Sequence, residues 1–260
     1  MLLVFDIGNT QIVAGVFANE TIVAEWRLQT DHHKTLDEYG ILMKSLFVEK
    51  GLKFDAVKAS IISSVVPPVT VIIEKMVQKY FASEVLLIGP GVKTGLSIKY
   101  ENPREIGADR VVNAVAAIHL YGPPLIIVDF GTATTFCAIS ENGDYLGGAI
   151  APGLGISNEA LFQRTAKLPR VELVKPKTVI GKNTINSMQS GLYYGYIGLM
   201  ENLIGKIKQE MGVAKPIVIA TGESAELIVS DSRLIDIINP NLTLEGLRII
   251  YLLNKPEFGK

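Results

Sequence analysis

The sequence predicts an α/β protein made of two similar halves, and three observations predict it. L-L-V-F-D-I-G-N-T at 2–10 returns as I-I-V-D-F-G-T-A-T-T at 126–135. In both places a short apolar run closes on Asp, one hydrophobic residue and Gly, the pattern of a buried strand ending in a tight turn. Strand-like segments follow each copy before helical periodicity begins. Finally, 260 residues with 48% hydrophobic and 20% charged side chains suffice for two ordinary domains, each with its own core.

After the first turn, 11–18 and 21–28 read as two further strands joined at Asn19-Glu20. Leu36, Tyr39, Leu42, Leu46 and Phe47 recur at helical spacing, so 35–50 is an amphipathic helix. A strand at 56–65, a helix opened by Pro67-Pro68 and a strand at 84–88 follow, since proline is tolerated in a helix's first turn. Three strands and then alternating helix and strand suit a mixed sheet of ribonuclease-H type. The apolar segment 111–120 is a buried helix. In the second half, strands at 125–129, 135–140 and 144–150 lead to a helix at 154–166, which Pro152-Gly153 introduces. The boundary between halves falls in the helix 110–120 or the Gly122-Pro123-Pro124 turn, giving domains 1–118 and 119–260.

Composition excludes several classes. A net charge of −1 and a pI near 6.3 leave no basic footprint for nucleic acid. Cys137 is the only cysteine, so neither a disulfide framework nor a thiolate metal site is expected, and a reducing cytoplasm fits. The N-terminus meets Asp6 too soon for a signal peptide, and no apolar run reaches membrane-spanning length. His32-His33 lacks partners at metal spacing and reads as a solvated loop. G-P-G-V-K-T-G at 89–95 fails the spacing of a P-loop.

Two stretches carry chemistry. In the repeated turns, Gly8 and Gly131 are expected to take positive φ, so that backbone N–H groups can cradle phosphate while Asp6 or Asp129 holds a cation. In K-Y-E-N-P-R-E-I-G-A-D-R at 99–110, Asp109 begins a helix. It can offset the helix dipole, or it can take a proton from a substrate hydroxyl while Arg110 holds an acidic tail. Arg110 opposes the dipole by roughly 0.3–1 kcal/mol, which an anionic substrate would compensate. The basic run 167–182 reads as a solvated face or the border of an anion site. In the long helix 190–207, Gly191, Gly195 and Gly198 line one face. That face packs closely on the chain's own sheet, or it forms a two-fold interface to which Tyr193, Tyr194 and Tyr196 add aromatic surface.

D-I-G-N-T, G-A-D-R, D-F-G-T-A-T-T, G-G-A-I-A-P-G and I-G-K-N-T-I-N-S-M-Q-S-G, in this order, resemble type III pantothenate kinase from Asp6 to about Met200. The resemblance implies the acetate and sugar kinase, Hsp70 and actin superfamily: two ribonuclease-H-like domains, an actin-like ATPase duplication, with the active site in the cleft between them. It implies phosphorylation of pantothenate by ATP with Mg²⁺, the first step to coenzyme A. Asp6, Ile7, Gly8, Asn9, Thr10, Gln11, Ile12 and Val13 would form the first phosphate loop, with Thr132 a further ATP contact. Gly107, Ala108, Asp109 and Arg110 would bind pantothenate, Asp109 as general base, with Tyr100 and Thr184 as further substrate contacts. Asp129 would hold a monovalent cation, potassium or ammonium. A homodimer is also implied, with Thr184 reaching the partner's pocket. Glu223 departs from the family, standing where a glycine is expected beside adenine. Other kinases or phosphatases of the superfamily would lack G-A-D-R here, and the missing basic patch speaks against a DNA-binding accessory factor.

Overall fold

β1 (Leu2–Ile7) is apolar except for Asp6 and lies mid-sheet, because both of its faces need cover. β2 (Gln11–Ala18) pairs antiparallel with it, and β3 (Thr21–Gln29) pairs antiparallel with β2. The helix α1 (Leu36–Glu49) starts in a capping box between Thr35 and Glu38. β4 (Ala59–Ser64) returns parallel to the other side of β1, α2 (Pro67–Phe81) carries proline in its first turn, and β5 (Val85–Leu87) completes the order β3-β2-β1-β4-β5. One face of this sheet presents Phe5, Ile7, Ile12 and Ile62 to Tyr39, Met43 and Phe47 of α1 and Ile73 and Val77 of α2.

The chain continues through β6 (Ser97–Ile98), α3 (Ala108–Tyr121), β7 (Leu125–Phe130), β8 (Ala133–Ile139) and β9 (Asp144–Pro152). It then forms α4 (Leu154–Arg164), α5 (Thr184–Met211), β10 (Ile217–Thr221), α6 (Ala225–Val229), β11 (Ile237–Ile238) and α7 (Leu242–Asn254). The second sheet has the order β11-β10-β7-β8-β9-β6. From β9 to β11 it repeats the first sheet strand for strand. Only β6, parallel to β9, has no counterpart. The repeat in sequence is therefore a repeat in topology.

This computed structural model describes residues 1–255 and forms two compact units. The first unit takes Met1–Gly95, Asn102–Ala116 and α7; the second takes Leu96–Glu101 and Ala117–Asn241. The units thus differ from two contiguous stretches, 1–118 and 119–260, of which 256–260 lie outside the described residues. α7 returns to the first sheet, where Leu244 packs over the bare Cα of Gly15. Among the described residues no helix is long and apolar enough to cross a membrane.

α5 corrects two expectations. It begins at Thr184, so that residue is the first of the helix rather than a residue preceding it. Tyr193 and Tyr196 also lie on the face opposite the glycines, whereas the half-buried Tyr194 lies beside them. Tyr193 and Tyr196 are 2% and 5% exposed and join Met200 and Ile204 in the core. Gly191, Gly195 and Gly198 face open space, with nothing within 4 Å of where a Cβ would stand. Helical periodicity sorts them: residues three and four apart share a face, and the apolar stripe 193-196-200-204 claims the sheet. The glycines therefore do not pack on the chain's own sheet, and Tyr193 and Tyr196 supply no surface for a partner.

Candidate active site

In the first unit, the loop 8–10 is a tight link between β1 and β2. The Gly8 N–H donates to the Gln11 carbonyl at 2.9 Å, and Asn9 and Thr10 stand exposed at the tip. Gly8 does not have the positive φ expected of it. Glycine relieves crowding instead, since a Cβ there would lie 3.1 Å from the Gln11 carbonyl oxygen and push that backbone back slightly. Thr30, at the end of β3, ties the loop down twice. Its Oγ1–H donates to the Gly8 carbonyl at 2.7 Å and its N–H to the Thr10 carbonyl at 3.0 Å. Asp6 and Val13 face each other across the pair and are half-buried, as is Gln11. Ile7 and Ile12 are fully buried core residues, so only their backbone is available to a ligand.

The G-A-D-R stretch opens α3 in the same unit. Gly107 precedes the helix, Ala108 and Asp109 are its first two residues, and Arg110 is 5% exposed. The Asp109 carboxylate folds back over the Cα of Gly107, where any Cβ would collide with Oδ1. Oδ1 also accepts the Arg110 N–H at 2.9 Å. Burial pushes the Asp109 carboxyl above the usual carboxylate range, and that N–H and the Arg110 charge only partly offset it. Asp109 thus does serve the helix start, but its elevated proton affinity also suits a proton acceptor. Gly107 lies against Val65, whose N–H donates to the Ile7 carbonyl at 3.1 Å, so the start of α3 borders the end of β1.

In the second unit, Asp129 pairs with Thr135 of β8 and Thr221 of β10. Gly131 and Thr132 are exposed, and Gly131, like Gly8, lacks positive φ. Gly222 has φ +92, and a Cβ there would stand 2.6 Å from Asp129 Oδ1. Backbone atoms of Phe130 crowd the same position, so only glycine lets the chain pass this close to the Asp129 carboxylate. Glu223 is exposed. The Gly153 N–H donates to the Thr132 carbonyl at 3.1 Å, and a Cβ on Gly153 would collide with the Gly131 and Thr132 carbonyls. Behind this loop, the buried Thr134 hydroxyl meets the Tyr196 hydroxyl, which donates to the Pro152 carbonyl at 3.0 Å.

Tyr100 and Thr184 also belong to the second unit. The Tyr100 ring lies over Gly147, where a Cβ would be 3.3 Å away, and edge-on to Tyr145. Thr184 is exposed at the rim of a groove of about 700 Å³ lined by Leu161, Leu168, Lys182, Ser187 and Met188. In the basic run, Arg170 pairs with Glu159 and Lys175 with Asp231 at the surface. Thr30 carries no sequence signal, because its two bonds to the loop span about twenty residues with no motif to mark them. Pro152-Gly153 marked a helix entry in the sequence; the structure adds the close backbone approach of Gly153 to the loop.

Two sheets of one strand order, each closing on an Asp-Gly loop beside its central strand, define the class as a two-domain protein of the actin-like ATPase and sugar kinase fold. Solved structures agree. A crystal structure described as a Baf-family transcriptional activator from Campylobacter jejuni aligns with TM-score 0.62 at 18% identity, over 98% of this chain and 99% of that one. The ethanolamine utilization protein EutJ from Carboxydothermus hydrogenoformans aligns at 0.56 and 15%, over 95% and 89%. Component A of the Acidaminococcus fermentans (R)-2-hydroxyglutaryl-CoA dehydratase aligns at 0.51 and 13%, over 98% of both chains. These likenesses establish the fold alone. The profile of one family, type III pantothenate kinase, matches residues 2–206, and the chain belongs to that family. It is a kinase that phosphorylates pantothenate with ATP, the first step of coenzyme A biosynthesis.

Proposed function

We propose that Asp109 is the general base of this kinase, taking the proton of the pantothenate 4′-hydroxyl as the γ-phosphoryl group of ATP passes to that oxygen. The observation that carries it is the Asp109 carboxylate lying over the bare Cα of Gly107, with a proton affinity raised by burial. Phosphoryl transfer relies on positioning and charge stabilisation. Residues 6–13 bind ATP phosphates through loop backbone N–H groups, the Asp6 carboxylate would act through the Mg²⁺ that accompanies ATP, and Thr132 adds its hydroxyl. Gly107, Ala108 and Arg110 hold pantothenate, Arg110 by pairing with the pantothenate carboxylate, and Tyr100 and Thr184 are further substrate contacts. Mg²⁺ bound with ATP neutralises phosphate charge, and potassium or ammonium at Asp129 screens that carboxylate from the phosphates. The place of Asp129 at the end of a central strand, next to the exposed Gly131-Thr132 loop, supports the second assignment.

The protein works as a homodimer in the cytoplasm. The open glycine face of α5 and the exposed Thr184 at its start support a partner subunit there. The single, buried Cys137 suits a reducing compartment. The chemistry is tested by the pH profile of kcat/KM with pantothenate among a panel of alcohols. The acid limb should lie above the ordinary carboxylate range, because the base must be ionised and its proton is held more tightly than usual. It should vanish in Asp109→Asn. A sugar turned over faster than pantothenate would sink the assignment. Assembly is tested by mixing Asp109→Asn and Thr184→Arg chains, each inactive alone. Partial return of activity places Thr184 in the partner's pocket; none despite subunit exchange places it in its own.

A further inference from the structure

Ser63 has no role in the reading above, yet it occupies a singular position. It is 0% exposed, and its Oγ has no hydrogen-bond partner among the described residues. A buried hydroxyl left without a partner carries an unmet desolvation cost, and such groups commonly await a water, an ion or a ligand. Its neighbour Ser64 is spoken for: the Ser64 Oγ takes the Val66 N–H at 3.0 Å and the Thr70 hydroxyl at 2.6 Å, fastening the start of α2. The tandem serines at the end of β4 therefore divide their work, one holding the helix and the other left over.

Register says where the leftover hydroxyl belongs. β4 runs parallel to β1, and Ser63 is the Cα partner of Asp6. Residues paired in this way project to the same face. That face is opposite the one on which Phe5, Ile7 and Ile62 meet α1 and α2. Two residues beyond Ser63, Val65 binds the Ile7 carbonyl and touches the Gly107 position at the start of α3. Ser63 thus stands beside the Asp6 carboxylate and close to where Asp109 begins its helix. The second unit places Thr221, 2% exposed, in the same register beside Asp129. A buried hydroxyl next to the loop aspartate is therefore a feature of both halves.

We propose that Ser63 is a positioning residue for Asp6. Its hydroxyl donates to the Asp6 carboxylate or to a water that carboxylate binds once Mg²⁺ and nucleotide are in place, and so fixes the carboxylate's orientation. This rests on the assignment of Asp6 to the ATP site. The lack of a protein partner for the Ser63 hydroxyl and its alignment with Asp6 fit a group that serves that carboxylate.

The experiment compares wild type, Ser63→Ala, Ser63→Cys and Asp6→Asn. Thermal unfolding is read without ligand and with MgADP, together with steady-state kinetics. Ser63→Ala should unfold without ligand at the wild-type temperature or slightly above, since no bond is lost. The MgADP-induced rise in Tm should shrink, and KM for MgATP should increase about tenfold to a hundredfold, the loss expected for a hydrogen bond to a charged group. KM for pantothenate should stay near wild type. Ser63→Cys, which keeps a weak donor on a somewhat larger atom, should fall between. A MgADP shift that survives Asp6→Asn overturns the assignment of Asp6 and this inference with it. A shift lost in Asp6→Asn but intact in both Ser63 variants overturns the inference alone. A marked fall of the ligand-free Tm in both Ser63 variants also overturns it, because that is the mark of a purely structural hydroxyl.

Discussion

The two Asp-Gly loops share a topology but are held in different ways. The first, at 8–10, is secured by a side chain, Thr30, which follows β3 and donates from both hydroxyl and backbone. The second, at 131–132, is secured by Gly153, which follows β9 at the equivalent place and makes its bond only because it has no side chain. Gly153 is also the residue from which α4 starts. The contrast extends to the helices that follow each set of five strands. The second residue of α3 is Asp109; that of α7 is Thr243, whose hydroxyl donates at 2.7 Å to Asn113, one turn beyond Asp109 on α3. A duplicated scaffold thus keeps its strand order while the two helices divide their work: Asp109 turns back on its own helix start and Thr243 ties α7 to α3.

If the halves have divided the work in this way, the greatest effect belongs to Asp109. Asp109→Asn should lower kcat about 10²–10⁴-fold, the usual contribution of a positioned base. It should not cost stability. A carboxyl whose folded proton affinity exceeds its unfolded one contributes stability below the unfolded pKa and loses it as pH rises through the folded value. At neutral pH the ionised Asp109 is therefore a burden, and the amide, which can still accept the Arg110 N–H, should unfold at the same or a higher temperature. Loss of fold together with activity would make Asp109 a structural residue only.

The loops come next. Gly153→Ala forces a methyl into two backbone carbonyls and should cost about 1–3 kcal/mol by denaturant unfolding, with weaker ATP binding. A variant as stable as wild type would show that the second loop yields easily. Asp129→Asn should abolish activation by potassium or ammonium relative to sodium, whereas Asp6→Asn should leave that salt preference intact; equal rates of the wild type in all three salts would dispose of the cation site. The smallest effect is expected of Thr30→Val, about 0.5–1.5 kcal/mol for one hydroxyl bond, since the backbone bond to Thr10 remains. An effect larger than that of Gly153→Ala would reverse the comparison drawn between the loops.

Much of this was legible in the chain itself. The repeated apolar run, Asp and Gly announced two central strands with their loops, because burial on both faces demands continuous hydrophobic residues and a turn demands glycine. Helical spacing placed α1 and α2 closely, with boundaries at Thr35 and Pro67 where capping chemistry is local. Asp109 was visible as a carboxylate at a helix start. The error over Gly8 and Gly131 was one of mechanism: neither takes positive φ, and a Cβ would crowd the Gln11 carbonyl at Gly8 but meet only ordinary contacts at Gly131, which no local pattern reveals. The face that α5 would bury was equally undecided, since tyrosines and glycines both have helical periodicity and only the competing core selects one.

The local patterns of the sequence determined the class of each element, the duplication and the chemical residues, because these depend on neighbours within a turn or a strand. The tertiary structure alone decided that Thr30 clamps the first loop, that α7 returns to the unit of α3, and that Ser63 lies beside Asp6. Each of these joins residues twenty or more positions apart. Strand register and side-chain packing set such contacts, and no local pattern encodes them.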